Sequence, residues 1–119
     1  MTPRLLLVDD DDSNALTLSA LLEDEGFAVD VAATCALARE HLAEKAYHAV
    51  VLDSGLPDGD GRDLVLSARV LAPGATVVLH TGLGDGETGE ADALVIKGAP
   101  FEELLRAVTS WRASPPSPR

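Results

Sequence analysis

Short unbroken apolar runs recur along the chain, and most of them stop at an acid, a turn or a lysine. Arg4-Leu5-Leu6-Leu7-Val8 leads into Asp9-Asp10-Asp11-Asp12, and His48-Ala49-Val50-Val51-Leu52 leads into Asp53. Thr76-Val77-Val78-Leu79-His80 ends at Thr81-Gly82, and Ala93-Leu94-Val95-Ile96 ends at Lys97. Runs this short, bounded by turns, read as buried parallel strands. Phe27-Ala28-Val29-Asp30-Val31 alternates instead, which suits an edge strand with one wetter face.

Between these runs the apolar spacing lengthens to that of helices. A first helix is expected from near Ser13 to Gly26, with Asp12 or Ser13 as N-cap and Ala15, Leu18, Leu21 and Leu22 inward. Thr34 can cap a second, with Leu37, Ala38, His41 and Leu42 as its stripe; His41 reads as a stripe-edge residue, not a ligand. A third follows Asp60-Gly61, with Asp60 as N-cap and Leu64, Val65, Ala68 and Leu71 inward, and Pro73-Gly74 stops it. Pro100 opens the last helix as its N1 residue, and Phe101, Leu104, Leu105, Val108 and Trp111 form the apolar stripe, Trp111 reading as packing. Alternating strand and helix predicts an α/β fold.

One interval breaks the alternation. Gly82, Gly84, Gly86 and Gly89 fall where a helix is due, and each interior glycine costs roughly 1 kcal/mol relative to alanine. A short, frayed or absent helix and a mobile loop are expected there. The spacing is not a phosphate-binding fingerprint, because neither a Lys-Ser/Thr pair nor a glycine-opened helix follows. Residues 112–119, rich in proline and serine, read as a disordered tail or the start of a linker after a domain spanning 1–111.

Composition narrows the function. The chain has 119 residues, 46% of them apolar, which fits one domain with an ordinary core. A net charge of −11 repels nucleic acid and anionic membrane. Any control of DNA must then pass through another chain or domain. No apolar run approaches a membrane span and no signal-peptide pattern opens the chain, so a cytoplasmic location is expected. Cys35 is the single cysteine, which excludes an internal disulfide, and it reads as packing.

The chemistry lies at the strand ends. In an open parallel sheet the carboxyl ends of the strands share a crevice, so Asp9, Asp10, Asp53, Thr81 and Lys97 are expected to converge. Any one of these acids alone reads equally well as a helix N-cap; the set together favours a site. Clustered carboxylates repel unless a cation is present. Mg²⁺ suits such a group, because it takes oxygen ligands and keeps several waters. An aspartate carboxylate can also accept a phosphoryl group. Phosphoryl transfer needs chiefly positioning and charge neutralisation, which a lysine ammonium and a threonine hydroxyl can help supply.

From about Arg4 to Trp111 the chain resembles the receiver domain of bacterial two-component response regulators. The resemblance rests on Leu-Val-Asp-Asp-Asp, on Val-Leu-Asp-Ser-Gly-Leu-Pro-Asp-Gly-Asp-Gly, on a strand ending in Thr-Gly and on a strand ending in Lys. It implies a flavodoxin-like, doubly wound sheet of five parallel strands in the order 2-1-3-4-5, here with a shortened or missing fourth helix. It implies Asp53 as phosphoacceptor, and a metal site in which Asp53 and Asp10 bind Mg²⁺ directly, Asp9 acts through water and Gly55 offers its carbonyl. Thr81 becomes the switch hydroxyl and Lys97 the cation that pairs with the phosphoryl group. The implied donor is a phosphohistidine on a sensor histidine kinase or phosphotransfer protein, and the implied output is an unknown downstream protein; homodimerisation stays open. Such a domain is no enzyme beyond its own phosphorylation and dephosphorylation. Gly55 and Gly82 should leave the rim of the site open.

The chain departs from the family pattern in three ways. Leu94 stands where an aromatic switch residue is usual. The interval from Thr81 to Lys97 is short. Gly98-Ala99 follows Lys97 where a cis-proline is usual, so the lysine loop should take another path. These departures fit an alternative, a pseudo-receiver that binds a partner without phosphorylation. A more distant alternative is a phosphohydrolase of the haloacid dehalogenase type, with Asp9 and Asp11 as its acids; it leaves Asp53 without a role.

Overall fold

The computed structural model describes residues 2–82 and 91–109, and of residues 60–62 the backbone alone. Strand β1 (Arg4–Val8) leads to helix α1 (Asp12–Asp24), then β2 (Ala28–Ala32), α2 (Cys35–Glu44) and β3 (Ala49–Asp53). A two-residue hairpin follows, β4 (Gly55–Leu56) and β5 (Gly59–Asp60), and then α3 (Gly61–Leu71). Strand β6 (Thr76–Thr81), strand β7 (Ala93–Ile96) and helix α4 (Phe101–Val108) complete the described chain.

The main sheet has five parallel strands in the order β2-β1-β3-β6-β7. Counting only the strands of that sheet, this is the expected 2-1-3-4-5. The alternating run lies at one edge, as its half-wet pattern implied, while β3 and β6 are buried along their whole length. Successive side chains of β1 serve opposite faces. Leu6 and Val8 join the core under α2 and α3; Leu5 and Leu7 join the core under α1 and α4. Four helices are present among the described residues. The glycine-rich segment 83–90, Trp111 and the tail lie outside them.

Helix α1 shows how local chemistry sets an element's ends. Its N-cap is Asp11, one residue before the expected Asp12 and two before Ser13: Asp11 is extended and its carboxylate accepts the Asn14 N–H at 3.0 Å. In a run of acids the pattern alone does not choose the cap; backbone conformation does. At the other end Gly26 takes φ +101, its N–H reaches the Glu23 carbonyl and the Phe27 N–H reaches that of Leu22. This is a Schellman closure, completed by Leu22 and Phe27 in one core cluster.

Three leucines expected inward are exposed: Leu21, Leu37 and Leu71. The sheet covers a narrower arc of each helix than the apolar stripe spans. Ala15 and Leu22, Cys35, Ala38 and Leu42, and Leu64, Val65, Ala68 and Ala72 fill that arc. Pro100 is the N-cap of α4 and not its first helical residue, because its ψ of 142° is extended. Glu102 and Glu103 then fall in the first turn, where the helix dipole favours acids. Lys97 is followed by Gly98 at φ +94, and the Ala99 N–H closes back on the Ile96 carbonyl at 3.1 Å. No described peptide bond is cis, so the lysine loop turns through a glycine in the left-handed region.

Candidate functional site

The register of the parallel strands sets the site. Asp53 closes β3 opposite His80, and Thr81 closes β6 opposite Ile96, one residue before Lys97. Asp9 leaves β1 with its N–H on the Ala32 carbonyl at 3.0 Å. The chain then turns into α1, which leaves Asp10 exposed while Asp9 stays 2% exposed. Asp9, Asp10 and Asp53 each present a carboxylate oxygen, and the three oxygens lie within 4.8 Å of one another.

Lys97 reaches into this cluster. Its Nζ lies 3.0 Å from Asp53 Oδ2, and the Gly55 N–H donates to Asp53 Oδ1 at 3.2 Å. Asp9 is held from α1: the Asp11 N–H donates to its Oδ1 at 2.9 Å, and the Asn14 side-chain amide donates to its Oδ2. Thr81 is fully buried, and its hydroxyl meets that of Ser54, the residue after Asp53, at 2.9 Å. Burial holds the His80 imidazole below its ordinary range and Lys97 adds to this, against the pull of Asp9 and Asp53.

Four of the expected residues thus meet directly: Asp9, Asp10, Asp53 and Lys97. Thr81 sits at the neighbouring strand end and joins them through Ser54. Gly55 touches Asp53 through its N–H. At Gly55 and at Gly82 an added Cβ would meet nothing within 4 Å, so the rim is open there. The donor set is wholly hard oxygen, two of its acids are buried, and one lysine does not balance three carboxylates. That set fits a hydrated divalent cation of the Mg²⁺ kind. Glu102 and Glu103 are exposed in the first turn of α4, away from any acid cluster among the described residues.

A model of the response regulator receiver domain matches residues 5–109. The chain belongs to that family. This receiver is 38% identical over 112 residues to a probable transcriptional regulatory protein, SilR, of Salmonella typhimurium, covering 88% of the chain and 49% of SilR. It is 35% identical over 112 residues to the transcriptional regulatory protein CusR of Escherichia coli, with the same two coverages. The chain therefore spans about half the length of these relatives. Among solved structures, it matches a CheY-like receiver domain protein of Methanospirillum hungatei with a TM-score of 0.88 at 28% identity, covering 96% of each chain. It matches the response regulator TrrA of Thermotoga maritima, solved in complex with Mg²⁺-BeF, with a TM-score of 0.84 at 27% identity, covering 92% of this receiver and 98% of TrrA. Among the described residues no helix is long and apolar enough to cross a membrane.

Sequence reasoning missed three residues around the receiver's site. Asn14 and Ser54 contact Asp9 and Thr81, and no periodic pattern marks either. Asp58, in the loop after Asp53, caps a distant helix: its carboxylate accepts the Cys35 and Ala36 N–H groups at 2.8 and 3.1 Å, opening α2 beside Thr34. A proline-preceded acid before a glycine reads as a turn, and nothing local shows that its carboxylate serves a helix start 23 residues away.

Proposed function

We propose that this receiver accepts a phosphoryl group on Asp53 and returns it to water, and that the phosphorylated form signals through its surface. One observation carries the reading: three carboxylate oxygens within 4.8 Å of one another, with the Lys97 ammonium 3.0 Å from Asp53. An Asp53 carboxylate oxygen attacks the phosphorus of a phosphohistidine. The phosphorus–nitrogen bond breaks, its electron pair stays with the imidazole, which takes a proton, and an acyl phosphate forms. Water later attacks the same phosphorus, the phosphorus–oxygen bond to Asp53 breaks, and inorganic phosphate leaves as the carboxylate is restored.

Each residue has a task in this scheme. Lys97 partly neutralises Asp53 before the reaction and pairs with the phosphoryl oxygens after it. Asp10 and Asp53 would hold Mg²⁺ directly, Asp9 through water, with the Gly55 carbonyl as a further ligand. The bound ion supplies the positive charge that a transferring phosphoryl group needs. Thr81 donates its hydroxyl to the phosphoryl oxygens, leaving Ser54. The open rim at Gly55 and Gly82 admits both the donor and water. The donor is a sensor histidine kinase or a phosphotransfer protein, met in the cytoplasm. The output is a contact with another protein, since the charge of −11 disfavours direct nucleic-acid binding.

The test is direct. The purified chain is exposed to acetyl phosphate with Mg²⁺ and weighed intact. The expected result is one added phosphoryl group, absent from Asp53→Asn and from the chain treated with a chelator. A wild-type mass that never changes favours the pseudo-receiver.

A further inference from the structure

The N-terminus of α1 is built around a site residue. In a capping box the N3 side chain accepts the N-cap N–H, and the N-cap side chain accepts the N3 N–H. Asn14 is the N3 residue here, and its N–H goes to Asp11 as that motif requires. The reciprocal bond is missing. The Asp11 N–H goes to Asp9 Oδ1 instead, and the Asn14 side chain turns to donate its amide to Asp9 Oδ2. Asp9 has taken the place of the box's glutamate.

We propose that Asn14 is a positioning residue for Mg²⁺ binding, acting through Asp9. The inference rests on the receiver reading above. With one donor on each oxygen, the buried Asp9 carboxylate is locked in one orientation before any ion arrives. Each of its oxygens keeps a further lone-pair site, so the fixed Asp9 carboxylate can still accept a hydrogen bond from a water that the ion would hold. Asp10, next in sequence, is exposed and open to direct binding. Asn14 thereby divides the labour of the acidic pair. Residues that orient metal ligands from behind typically change metal affinity 10–100-fold when replaced.

A plain capping role for Asn14 forecasts a Kd for Mg²⁺ equal to that of the wild type. The cap uses the Asn14 backbone N–H, which every substitution by a non-proline residue keeps. Leucine is also the better helix former, which offsets part of the cost of leaving the buried Asp9 Oδ2 without its Asn14 donor.

Mg²⁺ titration by calorimetry on the full chain, beside melting without Mg²⁺, separates the two. The expected result for Asn14→Leu is a Kd for Mg²⁺ raised about tenfold, with a cooperative melt in the absence of the ion that shows the fold intact. Asn14→Ala repeats the comparison without added bulk. Asn14→Gln, which keeps an amide, should retain more affinity than either. A Kd in both truncated variants equal to that of the wild type overturns the inference and leaves the receiver reading intact. A wild-type chain that binds no Mg²⁺ overturns both.

Discussion

At the scale of single residues, the site is a balance of like charges. Asp10 is exposed, whereas Asp9 and Asp53 are 2% and 6% exposed. Two unit charges of like sign no more than 4.8 Å apart repel by at least about 3.5 kcal/mol at an effective dielectric constant of about 20. Solvent around Asp10 screens much of this, yet the sign is fixed. Asp10→Asn removes one of the repelling charges and leaves the Lys97–Asp53 pair untouched. Its Tm without Mg²⁺ should rise above that of the wild type, and added Mg²⁺ should raise it little further. A drop in Tm without the ion would mean that Asp10 is stabilised by contacts that outweigh the repulsion. The residues in this balance were legible in the sequence because each stands where an apolar strand ends. Asn14 and Ser54 were not. Their contacts depend on how a side chain turns at one loop, and neither spacing nor residue type announces that.

At the scale of elements, the loop after Asp53 is tied to α2 by Asp58. The two N–H groups it accepts hold its carboxyl below the ordinary aspartate range, although the side chain is exposed. A carboxylate with a depressed folded-state value contributes above the unfolded value of about 3.9, and the contribution is lost as pH falls through the folded value. Hydrogen exchange at Cys35 and Ala36 reads this directly. Their protection should hold above about 3.9, fall on further acidification, and be weak at every pH in Asp58→Ala. Equal protection in that variant would show that Thr34 alone caps α2. Other ends were readable from the chain: Thr34 caps α2 through the Leu37 N–H, and Gly26 closes α1, both within a turn of their helices. The Asp58 tie spans 23 residues, so only the folded chain discloses it. The exposed Leu21, Leu37 and Leu71 teach the same lesson. A periodic stripe gives the direction of the core, and the arc of each helix that the sheet covers decides where burial stops.

At the scale of the molecule, two electrostatic effects act on stability, and they separate by their ion dependence. The net charge of −11 spreads repulsion over the whole surface, and any salt weakens it, since the Debye length is about 10 Å at 0.1 M. The acidic cluster is local and partly buried, so simple screening reaches it poorly. Bound Mg²⁺ stabilises the folded state by mass action, about 1.4 kcal/mol at tenfold excess over Kd, which for a domain of this size is a Tm rise of several degrees. Measured in a constant background of sodium chloride, wild type should show that rise on adding Mg²⁺ and lose it on adding a chelator. Asp53→Asn, which keeps the shape but removes one ligand charge, should respond to sodium chloride as the wild type does and barely respond to Mg²⁺. If Mg²⁺ raised the Tm of both chains equally, the ion would be acting on the diffuse charge of the surface, and the crevice at the ends of β1 and β3 would not be its binding place.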